Sequence, residues 1–202
     1  VPVGAADRLA ARLAALREAN GLPGTVELAW NPEFLREGSA VKDTLEPARI
    51  VLGHRDKNSR AEEIAREVYA TPLSKDTPFI VTDLATAELV KVAANAFLAT
   101  KISFINAMAE IAEVTGADVT QLADAIGHDV RIGRRFLGAG IGFGGGCLPK
   151  DIRAFSARAE ELGRGESVAF LREVDEINLR RRDRAVQLVV DALGGQVFQK
   201  KV

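Results

Sequence analysis

The stretch GIGFGGGCLPKD, Gly140 to Asp151, carries the only cysteine of a 202-residue chain. Glycine fills five of its first seven places. Glycine permits positive φ and lets a backbone come close to a ligand. Cys147 stands just ahead of Pro149, a residue type favoured in the first turn of a helix. A thiol there would meet the positive end of a helix dipole, with Lys150 adding charge, and both favour the nucleophilic thiolate. The other reading is a buried, inert cysteine; local context leaves both open. GIGFGG also fits the G-x-G-x-x-G spacing of dinucleotide-binding loops, which need a strand before them and a helix opening on the last glycine. Here RRFLGA precedes and Cys147 follows, so that reading is rejected.

Lys91 and Asn95 stand four residues apart in an apolar stretch, which puts them on one face of a helix. A lysine and an amide there need partners. They read either as a snorkelling lysine with a structural amide or as a pair aimed into a site. Asp151, four residues past Cys147, is either a first-turn acid that stabilises its helix or a partner for such a lysine. Asn31 to Gly38 (NPEFLREG) follows an expected strand end, where α/β folds place ligands. It carries Glu33, Phe34, Leu35, Arg36 and Glu37, and it reads equally well as a solvated loop. His54 and His128 show no sequence partner. No Cys/His spacing points to a metal, and no Ser–His–Asp arrangement is visible.

These residues must be held by ordinary elements. Residues 5–19 repeat Leu9, Leu13 and Leu16 at helical spacing and end at Asn20-Gly21. Strands are expected over Thr25 to Trp30, Arg49 to Gly53 and Pro78 to Thr82, with a helix over 59–70. Strand and helix alternate, which argues for an α/β half-sheet. From Ala85 to Thr115 there is no glycine or proline, and apolar residues fall on nearly every face. Such a helix belongs in a larger core or an oligomer interface. A short helix is expected over Val119 to Ile126 with Asp118 as its N-cap. Long helices are expected over Pro149 to Leu162 and Glu166 to Leu193. The spacing thus gives an α/β part-sheet followed by an all-α domain.

Hydrophobic residues make up 47% and charged residues 27%, with a net charge of −1. Nothing in that balance calls for nucleic acid or an anionic membrane. No uncharged apolar run reaches the roughly 18 residues of a membrane span. One cysteine and no targeting segment lead us to expect a cytoplasmic protein. Both ends read as cut from a longer chain, Val197 to Val202 resembling the start of a strand.

Taken together, VPVG, NPEFLREGSAVKD, ELVKVAANAFLATKISFINAMAEI and DVRIGRRFLGAGIGFGGGCLPKD resemble the UDP-glucose/GDP-mannose dehydrogenase family. They stand in family order over almost the whole chain, and RIGRRFLGAGIGFGG is similar to its UDP-glucose branch. The resemblance implies a part-Rossmann sheet followed by a helical central domain like the C-terminal part of 6-phosphogluconate dehydrogenase. Its boundaries would be 1–83 for the end of the NAD-binding domain, 84–196 for the catalytic and dimerisation domain, and 197–202 for the start of a UDP-binding domain. It implies four-electron oxidation of UDP-glucose to UDP-glucuronate with NAD as cofactor. Cys147 would carry a thiohemiacetal and then a thioester. Lys91 would stabilise an oxyanion, Asn95 would hold a water or sugar hydroxyl, Asp151 would orient the lysine and the water, and Glu33 would serve thioester hydrolysis.

By the same resemblance Glu33, Phe34, Leu35, Arg36 and Glu37 form a substrate loop, with Glu37 near the nicotinamide. Phe136, Leu137, Gly138, Ala139, Gly140 and Gly144 form a nucleotide-sugar loop. Lys150 would contact NAD, and Arg131 would reach the substrate across a homodimer formed by the long helix. Gly146 stands where the family usually has serine. The glycine-rich NAD fingerprint lies outside this chain, so the segment alone is expected to turn over little. Other readings are a GDP-mannose dehydrogenase, a hydroxyacid dehydrogenase of the 6-phosphogluconate type without need of the thiol, and a catalytically silent dimerisation module.

Overall fold

A computed structural model describes residues 2–56 and 59–201. The chain divides into two compact units between Ala93 and Ala94. In the first, α1 (Ala5–Ala19) and α2 (Ala40–Leu45) precede β1 (Ile50–Gly53), α3 (Ala61–Val68), α4 (Ala70–Leu73) and β2 (Phe79–Thr82). β1 and β2 pair in parallel, Ile50 beside Phe79 and Gly53 beside Thr82. Parallel pairing demands a crossover, and α3 and α4 supply it. The β1 residues are buried throughout, as a strand covered on both faces must be.

The strand expected over Thr25 to Trp30 shrinks to one antiparallel bridge, in which Trp30 and Gly53 exchange both backbone bonds at 2.7 Å. Among the described residues no strand pairs with Thr25–Ala29, and an extended segment without a ladder partner is not a strand. The helix α1 starts at Gly4, which has no side chain to cap it. Glu88 replaces the cap from α5 (Leu84–Thr115): its carboxylate accepts the backbone N–H of Gly4 and of Ala6, each at 2.7 Å. An anion is favoured at that end of a helix.

The second unit continues α5 and adds α6 (Val119–Gly127), α7 (Leu148–Glu161), a 3₁₀ turn (Gly165–Val168) and α8 (Phe170–Ala192). Asp118 caps α6 as its position suggests, accepting from Thr120 and Gln121 at 2.8 and 3.1 Å. One apolar cluster joins Ala96, Ala99, Phe143, Ile152, Leu171 and Val174. A second joins Ile105, Ala123 and Leu137. α5 is long and apolar enough by length and composition to cross a membrane. However, its buried Glu88, Ser103 and Asn106 each hold a bond to the surrounding chain, which is how a core helix satisfies polar groups. Phe198 and Gln199 form a turn, and no strand runs through Val197 to Lys201; Val202 lies outside the described residues.

Candidate active site

In the first unit the loop after Trp30 is tied down at several points. Asn31 donates to Val51 O at 2.7 Å and accepts the Tyr69 hydroxyl at 2.6 Å. Lys91, near the start of α5, reaches Glu33 at 2.8 Å, and the other Glu33 oxygen accepts the Leu35 N–H at 2.7 Å. The half-buried Phe34 ring lies under the Arg49 guanidinium, 3.8 Å from its centroid, with the Lys91 ammonium at 5.7 Å. A cation over a ring face is held by the ring's quadrupole. Arg36 grips Asp43 of α2 through its backbone N–H and guanidinium, at 2.9 and 2.5 Å. Hydrogen bonds from Arg36 hold the Asp43 carboxyl down at about 2. Leu35 and Glu37 are exposed, in or next to the turn at Gly38.

In the second unit the thiol stands at the N-cap of α7, exposed, with Pro149 in the first turn. This is the accessible helix-end position, and the inert buried cysteine is set aside. Asp151, 6% exposed, accepts Asn95 Nδ2 at 2.6 Å on one oxygen and Lys150 Nζ on the other. Burial pushes its carboxyl up, but those two hydrogen bonds outweigh burial and hold it below the usual carboxylate range. A buried carboxylate kept ionised between an amide and an ammonium, one helical turn past the cysteine, is suited to orienting a water or a hydroxyl.

The glycine-rich loop shows why its residues are small. A Cβ added at Gly138, Gly140, Gly144 or Gly146 would meet nothing within 4 Å, and none of these needs a positive φ. The chain itself therefore gives no reason for glycine there, and a ligand drawn close to the backbone would. Gly142 differs: its φ is +108 and a Cβ would lie 2.2 Å from Asn178 Oδ1. Phe136 sits at φ 66, a conformation uncommon for an aromatic residue. Leu137 is 2% exposed and packs with Ile105 and Ala123, so its side chain serves the core and only its backbone faces the loop. Ala139 is exposed beside Gly140. Arg131 is exposed and doubly bonded to Asp129, in a turn whose carbonyls at Ile132 and Gly133 accept Lys101.

Sequence reading did not find Arg49, Asp43, Lys101, Asn106, Asn178 or Arg182. Asn106 was within reach of the rule that picked out Asn95, since both are amides in an apolar helix. Lys101 was too, as a lysine in the same apolar helix as Lys91, whereas Asp43, Asn178 and Arg182 sit among charged neighbours and none of the remaining residues carries a spacing of its own. Among the described residues no group of acids, histidines and cysteine could hold a metal.

Two family models match the chain: the NAD binding domain of the UDP-glucose/GDP-mannose dehydrogenase family over residues 1–73 and its central domain over residues 85–180. The UDP-glucose 6-dehydrogenase of Rickettsia typhi is 48% identical over 202 residues, which is 100% of this chain and 44% of that protein. That of Rhizobium meliloti is 40% identical over 202 residues, again 100% of this chain and 45% of the relative. A solved UDP-glucose dehydrogenase from the hyperthermophilic archaeon Pyrobaculum islandicum matches with a TM-score of 0.85 at 44% identity, over 96% of this chain and 43% of that one. The chain spans less than half the length of these relatives. With a parallel strand pair followed by long helices, and both models of one family matched in order, the chain belongs to the UDP-glucose/GDP-mannose dehydrogenase family.

Proposed function

We propose that this chain carries catalytic residues of an enzyme that oxidises UDP-glucose to UDP-glucuronate by four electrons. The observation that carries the reading is an exposed thiol at a helix N-cap, next to glycines that the chain's own packing does not require. Bound NAD would supply the hydride acceptor for both oxidations at the sugar C6. The carboxyl ends of β1 and β2 suit such a ligand, and the His54 Nε2 there is a buried atom without a hydrogen-bond partner. Glu37 and Lys150 are this chain's candidate cofactor contacts. The described residues offer no glycine-rich turn between strand and helix for the cofactor's phosphates.

The protein's own part is as follows. The Cys147 thiolate adds to C6 of the aldehyde; the carbonyl π pair moves to oxygen, which takes a proton, giving a thiohemiacetal. Loss of a hydride and the hydroxyl proton from that adduct leaves a thioester. Water then adds to the thioester carbon, and the thiolate leaves with the bond pair, releasing a carboxylate. Covalent capture splits one hard oxidation into easier steps. Lys91 stabilises the oxyanion and Glu33 takes the proton of the attacking water. Asn95 and Asp151 hold the hydroxyl and water. The uridine nucleotide is received by Phe136 to Gly140 and by Gly144, and the sugar by the loop Glu33 to Glu37.

A homodimer through α5 is part of the proposal. Phe97, Phe104 and Ile111, seven residues apart, are 67%, 48% and 54% exposed, an apolar stripe that a second copy would cover. Arg131, with its exposed side chain, is then the residue offered to the partner. Sedimentation of Phe104→Glu should give monomer where the wild type gives dimer.

The deciding experiment counts NADH formed per UDP-glucose consumed by the full-length protein, with GDP-mannose as control. Two NADH are expected, and Cys147→Ser should stop short of the second. One NADH from the wild type would remove the thiol from the mechanism and favour a hydroxyacid dehydrogenase.

A further inference from the structure

We propose that Asn178 is a positioning residue for Cys147, acting through the glycine-rich loop; this rests on the function proposed above. Asn178 is 1% exposed on α8. Its Oδ1 accepts the Phe143 N–H at 2.7 Å and its Nδ2 donates to Phe143 O at 3.0 Å. One amide thus takes both backbone groups of one residue, as a neighbouring strand would. Arg182 adds a second donor to Phe143 O at 3.0 Å. The fit leaves no room at Gly142, where a Cβ would meet the same Oδ1 at 2.2 Å. The Phe143 ring is itself 6% exposed in the cluster with Ile152, Leu171 and Val174.

Phe143 is therefore fixed by ring and backbone. On the other side of Cys147 the helix α7 is fixed too: Asp151 N–H donates to Cys147 O at 2.9 Å, and its carboxylate takes Asn95 at 2.6 Å. Between these anchors lie Gly144, Gly145 and Gly146, all exposed. A run of glycines imposes almost no conformational limit of its own. The place of Cys147 is thus set by its two anchors, and Asn178, which alone holds both the N–H and the C=O of Phe143, is the main polar part of the first. Aldehyde capture needs Sγ at attack distance, and a misplacement of about 1 Å can cost roughly 10²-fold. A thiol that misses lets the aldehyde leave.

The test uses the full-length protein with limiting UDP-glucose, excess NAD and O-methylhydroxylamine, which converts released aldehyde to an oxime with loss of water. Asn178→Ala and Asn178→Asp are compared with wild type; the aspartate keeps the size and the acceptor and loses the donor, so it serves if the alanine variant does not fold. Expected are two NADH per sugar and no oxime for wild type. For the variants, NADH per sugar falls toward one with oxime formed, kcat falls roughly 10²-fold and KM for UDP-glucose stays within about threefold. A merely structural loss would lower the active fraction and leave the stoichiometry at two. Variants that still yield two NADH and no oxime overturn the role of Asn178 while the functional reading stands. A wild type that stops at one NADH overturns that reading, and the inference with it.

Discussion

The two units hold their candidate chemistry by different means. In the first, Glu33 and Lys91 meet as an ion pair whose carboxylate is largely exposed, at 58%, and the exposed Arg36 guanidinium of the same loop meets Asp43 of α2. In the second, Asp151, Asn178 and Asn106 are buried, and each is bonded to a group near the thiol or its loop. Exposed ion pairs bind weakly and re-form easily. Buried amides bonded to backbone cost much to break and allow one geometry. A lysine that must answer a charge developing on a substrate is better held loosely. A nucleophile that must meet one carbon atom is better held by a fixed frame.

Asp151→Asn attacks the rigid side and should cost most. It removes the charge that Lys150 and Asn95 stabilise, and kcat should fall by roughly 10²–10³-fold. Because the folded carboxyl lies below its ordinary 3.8, ionised Asp151 contributes stability that is whole above that value and is lost as pH falls through the lower folded one. Thermal melts of wild type and Asp151→Asn should converge over that acid range. A gap that persists unchanged in acid would show that the charge is not what Asp151 contributes.

Glu33→Gln tests the looser side. It keeps the shape, removes the base for water attack, and should slow thioester hydrolysis roughly 10²-fold. Rapid-mixing traces should show a burst of NADH before a slow steady state, with the sugar trapped on Cys147. A proportional fall in all phases without a burst would take Glu33 out of hydrolysis.

Asp43→Asn should do least. It frees Arg36 in a loop open to solvent, and KM for UDP-glucose should rise by about fivefold at most. The Asp43 carboxyl stays ionised down to about 2, so wild type should keep the pair as pH falls from 3.8 and lose its contribution only toward that value. A loss of kcat as large as that of Asp151→Asn would erase the distinction between the two halves.

Much of this was legible in the residues. The mostly apolar stretch before Thr115 without glycine or proline, Asp118 ahead of α6 and Pro149 after Cys147 announced helices by local rules, and those helices are where the spacing put them. Lys91 and Asn95 stood out because a polar group in apolar surroundings needs a partner, and Asp151 because it stands one helical turn past Cys147. Thr25 to Trp30 misled, since β propensity cannot report whether a partner strand lies alongside.

The sequence by itself determined which residue is the nucleophile candidate, which helix end it caps and which family the chain resembles, because these depend on residue type and near neighbours. The tertiary structure alone decided that Asn178 closes on Phe143 across 35 positions, that Leu137 turns into the core and that the glycines beside the thiol face open space. Such facts depend on which distant elements come to lie together. A local pattern cannot encode them, since the same asparagine in the same helix would be an ordinary surface amide without the loop folded against it.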